Sequence, residues 1–115
     1  MTMTIKSLRS AKDFRVLFRL GRRIETRFFK LIILPNKTSS TRFAFIASKM
    51  VDKRAVVRNR LRRRCREWIR THVLSLPALH GSMDIAILFK KDAGLATKKE
   101  FYSDLAGLFH KIYNI

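Results

Sequence analysis

The stretch Arg54-Ala-Val-Val-Arg-Asn-Arg-Leu-Arg-Arg-Arg-Cys-Arg-Glu-Trp-Ile-Arg70 places eight arginines and one acid, Glu67, in seventeen residues. Its apolar residues nevertheless keep helical phase. Val57, Leu61, Cys65 and Trp68 recur at spacings of four, four and three, so a helix puts them on one face. Asn59, Arg62, Arg63, Arg66 and Arg70 gather on the other, and Arg58 and Arg64 flank the stripe. A disordered basic arm has no reason to hold its apolar residues in register. The segment therefore predicts a folded helix, packed on one side and offering cations on the other.

The rest of the chain is consistent with a host for such a helix. Its 115 residues, 47% of them hydrophobic, suit one domain with one core, spanning 1–115. The formal net charge of +18 and a pI near 11.5 cost stability through self-repulsion and point to a polyanionic partner. Nucleic acid is the commonest such partner for a domain this basic. No apolar run reaches the roughly 18 residues of a membrane span. The opening Met1–Arg9 also lacks the apolar centre of an export signal. One cysteine, Cys65, forms no internal disulfide and fits a reducing compartment. The expected location is the cytoplasm, with no membrane association.

Periodicity and punctuation divide the chain. Ser10-Ala-Lys-Asp13 has the form of a helix start. Phe14, Leu17 and Phe18 follow at helical spacing and Gly21 stops the helix, so the first helix is expected over Ala11–Leu20. Ile24–Leu34 is rich in β-branched and aromatic residues and reads as a strand. Pro35–Thr41 reads as a turn-rich link. Arg42–Ser48 reads as a second strand, Ala55–Val73 as the basic helix, Leu76–Ser82 as a loop and Met83–Phe89 as a buried strand. A last helix is expected over Thr97–Tyr113. Thr97 and Glu100 form its capping box, and Phe101, Leu105, Leu108, Phe109 and Ile112 line its inner face. The order α-β-β-α-β-α predicts a two-layer α/β (α+β) sandwich, one mixed sheet with about three helices.

On this scaffold Arg58-Asn-Arg60, opening an arginine-rich helix, resembles the RNR signature of the bacterial ribonuclease P protein subunit family. A bare R-N-R carries no information, but its context agrees. Arg42-Phe-Ala-Phe-Ile-Ala-Ser-Lys49 resembles the strand before that signature. Lys12–Gly21 resembles the family's first helix, and Asp84–Ala93 its last strand. The likeness covers most of the chain in order. It implies a sandwich with a left-handed strand–helix–strand crossover, against the usual right-handed rule.

It also implies a role. The family's catalyst is a large RNA that uses Mg²⁺ to direct water onto the phosphodiester at the 5′ end of mature tRNA. The protein binds that ribonuclease P RNA and the 5′ leader of precursor tRNA. The expected Mg²⁺ is held by RNA and substrate, with no metal site on the protein, and no protein partner is required. Carried onto this chain, the RNA-binding residues are Lys53, Arg54, Arg58, Asn59, Arg60, Arg62, Arg63, Arg66 and Arg70. The leader-binding residues are Phe14, Arg15, Phe18, Lys30, Ile32, Ser48 and Lys49. Two departures stand out. Met50 replaces the second lysine of a usual pair at Lys49-Met50, with Lys53 and Arg54 nearby to compensate. Ile32 stands where the family often has an aromatic residue that stacks on a base.

The chemistry of these residue types fits RNA. A guanidinium forks onto two phosphate oxygens or stacks on a base. Aromatic rings beside cations hold single strands, at ~1–3 kcal/mol per stacked base. Two readings stand for Phe14 and Phe18: rings that stack on RNA with Arg15 and Arg19 beside them, or plain core packed with Leu17. Phe28 and Phe29, being adjacent, are expected on opposite sides of their strand. Cys65 reads as a buried thiol and Trp68 as a core anchor. His72, His80 and His110 are scattered and suggest no zinc site. No acid pair, nucleophile motif or phosphate loop is visible, so no bond-breaking group is expected on the protein. Composition alone equally allows a small ribosomal or other structural RNA-binding protein. A self-sufficient nuclease is the poorest reading.

Overall fold

The computed structural model describes residues 5–38, 40–74 and 82–113. In chain order its elements are β1 (Lys6–Ser7), α1 (Ala11–Leu20), β2 (Arg22–Glu25), β3 (Phe29–Pro35), β4 (Arg42–Ile46), α2 (Ala55–His72), β5 (Met83–Phe89), a 3-10 turn (Lys91–Leu95) and α3 (Lys98–Tyr113). Apart from Ser82, the loop expected at Leu76–Ser82 lies outside the described residues.

Local signals act where the pattern placed them. The Ser10 hydroxyl accepts from the Asp13 N–H at 3.4 Å. The Thr97 and Glu100 side chains accept reciprocally from each other's N–H groups at 3.1 and 2.9 Å, which satisfies two amides that a helix start otherwise leaves bare. Gly21 ends α1 in a crowded place. A Cβ there would stand 2.5 Å from both Ile32 Cγ2 and the Leu17 carbonyl oxygen.

The strands form one mixed sheet of order β1-β4-β5-β3-β2. β1 and β5 run parallel to β4, while β3 runs antiparallel to both β5 and β2. The strand–helix–strand unit β4-α2-β5 thus joins neighbouring parallel strands. One sheet face, carrying Phe29, Leu31, Ile33, Phe43, Ile85 and Ile87, forms the main core. It includes Val57, Leu61, Cys65 and Ile69 of α2 and Phe101, Leu105, Leu108 and Phe109 of α3. The other face is partly covered by α1, whose Leu17 packs with Leu8, Ile32 and Ala86.

The run Ile24–Leu34 is not one strand. It breaks at Thr26–Phe28 into the antiparallel pair β2 and β3. Asp104 of α3 caps the turn at the break. Its carboxylate accepts from the Thr26 hydroxyl at 2.7 Å and the Phe28 N–H at 2.9 Å. Phe28 therefore sits in a turn rather than in the pleat. Contrary to the expected alternation, Phe28 and Phe29 both enter the main core. The short β1 was likewise not visible in the pattern, since two residues carry no periodicity.

One polar cluster pins α1 to the sheet. Asp84, only 5% exposed, takes a two-pronged contact from Arg42 Nε and Nη2, both at 2.8 Å. Asn36 donates to the same carboxylate at 2.7 Å, and Arg42 Nη1 reaches Asp13 of α1 at 3.2 Å. Asp84 above all holds the Arg42 guanidinium charged, raising its pKa. Removing one partner of a buried pair strands the other. Arg42→Met is expected to lower stability by about 3 kcal/mol in urea unfolding; a loss below ~1 kcal/mol would show that Asn36 alone satisfies Asp84.

Candidate nucleic-acid interface

Helix α2 is a two-sided element, as its spacing predicts. Val57, Leu61 and Cys65 are buried, with Ile69 in line four residues after Cys65. Trp68 is half-buried against Phe109, with ring centroids 5.9 Å apart, and stacks on His72 at 4.7 Å. Cys65 is fully buried, and burial pushes its thiol pKa up.

The polar side divides into two functions. Several of the residues expected to bind RNA also make contacts within the protein. Arg58 Nη1 donates to the carbonyls of Asp52 and Lys53 at 3.0 and 2.9 Å, clamping the loop before the helix. Arg62 donates to Asn59 Oδ1 at 2.6 Å and to the Ala47 carbonyl at 3.2 Å, which ties the helix to the end of β4. Arg54 forks onto Asp52, and Arg70 onto Glu67. These four guanidiniums already have partners. What remains is a fan of exposed side chains, Asn59, Arg60, Arg63 and Arg66 on α2 with Lys53 just before it. Among the described residues Arg60, Arg63 and Arg66 belong to no ion pair. Arg66 lies 5.3 Å over the Phe45 ring. Successive members at 60, 63 and 66 stand about 4.5 Å apart along the axis, so they form a row that suits a phosphate backbone.

Two acids pair with Arg54 and Arg70. The Arg54 side chain holds the Asp52 carboxyl down to about 2, with help from its N–H, and Arg70 lowers Glu67. A carboxylate depressed in the folded state contributes stability that is present above its unfolded pKa, near 4, and lost as pH falls through the folded value. The Asp52 contribution should therefore vanish between about pH 4 and pH 2. Thermal melts across that window are expected to fall less steeply for Asp52→Asn than for the wild type; parallel curves would show that the Arg54–Asp52 pair adds no stability.

The second region lies around α1. The Phe14 and Phe18 rings are half-buried and stacked, with centroids 6.1 Å apart and planes at 19°. They edge the core under α1 together with Ile46 and Leu88, so each ring has a packed side and an open one. Arg15 and Arg19 are exposed, and with Lys12, Val16 and both rings they line a shallow open depression. Lys30, Leu88 and Ile46 stand side by side on neighbouring strands and are half-buried. Ser48 and Lys49 are exposed just beyond β4, close to where Arg62 meets Ala47. Ile32 is different. It is 1% exposed beneath α1 and is a core residue, so its side chain is not open to the leader as the resemblance implied. The short α1, pinned at Asp13, covers that row of the sheet.

Sequence reasoning missed how close α3 comes to α2. Lys98 and Tyr102 share a groove with Arg60, Arg63, Arg64 and Glu67. Only tertiary packing brings residues so distant in sequence together. Among the described residues no helix is long and apolar enough to cross a membrane, and no group of three His, Cys, Asp or Glu could hold a metal ion.

Known proteins with this pattern identify the family. The profile of the ribonuclease P family matches residues 3–113. The ribonuclease P protein component of Desulforapulum autotrophicum is 36% identical over 100 residues, covering 87% of this chain and 82% of its own. That of Fusobacterium nucleatum is 30% identical over 109 residues and 95% of each chain. Among solved structures, the Staphylococcus aureus RNase P protein superposes with a TM-score of 0.82, covering 95% of this chain and 96% of its own at 21% identity. The Thermotoga maritima RNase P protein gives 0.76, with 96% and 97% covered, also at 21% identity. These two likenesses speak for the fold. A ribosomal role, which composition allows, finds no support among these relatives. The chain therefore belongs to the ribonuclease P protein family, the protein component of a ribonuclease whose partner is ribonuclease P RNA.

Proposed function

We propose that this protein docks on ribonuclease P RNA through the α2 fan and holds the 5′ leader of precursor tRNA beside α1, assisting removal of the leader to give the mature 5′ end. The carrying observation is the division of labour on α2. Arg60, Arg63 and Arg66 are exposed and outside any ion pair among the described residues, while Arg54, Arg58, Arg62 and Arg70 are engaged within the protein. Exposed guanidiniums with no internal ion pair are open to phosphate without first giving up a partner within the protein.

The leader path has its own support. A single strand needs flat faces to stack on and cations for its backbone. The open sides of Phe14 and Phe18 supply the first. Arg15, Lys30 and Lys49 supply the second, with the Ser48 hydroxyl as a further polar group. The ring pair is compatible with both readings, since both rings are partly buried and both line the depression on α1.

The catalytic groups belong to the RNA in this reading. Bound Mg²⁺, held by RNA and substrate, supplies the activation of water. The protein's cations screen phosphate repulsion, so folded RNA and substrate persist together at lower Mg²⁺. The place of action is the cytoplasm.

Multiple-turnover cleavage of a leader-bearing precursor tRNA by a bacterial ribonuclease P RNA at low Mg²⁺ tests the proposal. Addition of this protein is expected to bring cleavage at the mature 5′ end. Phe14→Ala is expected to weaken the preference for precursor over mature tRNA by about five- to tenfold, one stacked base. Absence of stimulation with RNA binding intact would leave a basic RNA-binding domain without a role in cleavage.

A further inference from the structure

We propose that the groove between α2 and the first turns of α3 is a second docking point for ribonuclease P RNA, taking a phosphodiester on Arg64 and Lys98 and an adjacent base on Tyr102. The inference rests on the family reading and adds residues outside the RNR helix's exposed fan.

The groove is lined by Arg60, Arg63, Arg64, Glu67, Lys98 and Tyr102. Four cations thus face one acid, and that acid is engaged by Arg70. Such a cluster repels itself unless an anion enters. Arg64 is half-buried and leans across to α3, its guanidinium carbon 5.5 Å from the centre of the Phe101 ring. Tyr102 stands edge-on to the same ring, centroids 5.8 Å apart and planes at 88°. Phe101, fully buried, therefore orients both groups. Tyr102 itself is partly buried, packed against the main core on one side, and lines the groove four residues after Lys98, on the same face of α3.

Two features make side chains, rather than the helix end, the ligand-holding groups. The Thr97 and Glu100 amides are occupied by the capping box. Glu100, the acid nearest Lys98 in sequence, pairs with Arg27 at 3.5 Å, and Lys98 belongs to no ion pair among the described residues. Arg60 and Arg63 belong to both the exposed row and this groove, so one RNA strand along α2 reaches it without leaving the protein surface. That continuity selects RNA as the occupant.

Binding of the full-length protein to a bacterial ribonuclease P RNA, measured over a range of salt, tests the site. Lys98→Ala is expected to bind about fivefold more weakly, with a log K against log salt slope shallower by roughly 0.7–0.9. Lys99→Ala removes the same charge one residue away and is expected to bind like the wild type. Glu67→Gln is expected to bind more tightly. Tyr102→Leu keeps an apolar contact with Phe101 and is expected to bind about fivefold more weakly, one stacked base, while Tyr102→Phe retains affinity. If Tyr102→Leu melts early, Lys98→Ala and Glu67→Gln decide. Equal weakening by Lys98→Ala and Lys99→Ala would show a bulk charge effect and overturn the site, as would wild-type affinity and slope for both Lys98→Ala and Glu67→Gln. A wild-type protein that fails to bind the RNA would instead overturn the family role on which the site rests.

Discussion

Replacing Arg60, Arg63 and Arg66 together with alanine is expected to weaken binding to ribonuclease P RNA by roughly 10²–10³-fold, at about 1–1.5 kcal/mol for each guanidinium–phosphate hydrogen bond removed. The expectation follows from exposure. The three groups stand on one row of α2 and make no ion pair among the described residues, so their removal breaks no ion pair and takes away one packing interaction, the contact of Arg66 over the Phe45 ring. The salt dependence should flatten by roughly two to three in the log–log slope, because each phosphate left uncovered keeps its counterion. The melting temperature should hold or rise, since +18 becomes +15 and self-repulsion falls. The matched substitution of Arg58 and Arg62 is expected to behave differently. Those groups bond to the carbonyls of Asp52, Lys53 and Ala47, and their loss should lower stability before it touches affinity. Unchanged RNA binding in the triple variant would show that the fan is a solvated surface.

Leu61→Ala is expected to destabilise the protein by ~2–5 kcal/mol, the range for a truncated core leucine. Leu61 is 2% exposed and lies in the main core with Phe43, Val57, Cys65 and Ile69. For a domain of this size a loss of that order is a large share of the whole. Urea unfolding measures it directly, and the midpoint should move with little change in slope. RNA affinity measured where the variant is still folded should stay near that of the wild type, because no cation has moved. Unchanged stability would mean that the helix presents a different face to the sheet.

The two experiments separate the two sides of one helix, and this helix is where sequence was most informative. A strict three-to-four spacing survives in a segment dominated by arginine, and only packing explains that. Ser10, Gly21, Thr97 and Glu100 likewise marked helix ends through chemistry confined to a few residues. The break at Thr26–Phe28 was hidden for the opposite reason. The residue that caps its turn, Asp104, is on α3, and no local pattern announces a carboxylate arriving from a distant helix. Ile32 was misplaced on the surface because a strand's spacing tells which residues share a face but not which helix covers that face.

The candidate interface divides along the same line. Arginine density and phase were enough to specify a helix, its apolar stripe and its basic face, since charge, period and capping are properties of neighbouring residues. Which arginines are engaged was decided partly by neighbours within six residues, at Arg54, Arg58 and Arg70, and partly by tertiary structure, at Arg62 and Arg64. Ala47, Asp52 and Lys53 engage Arg54, Arg58 and Arg62, Phe101 orients Arg64 toward Tyr102, and α1 buries Ile32 while leaving one side of Phe14 and Phe18 open. Partner choice depends on atoms brought together across the fold, and composition carries no record of those distances.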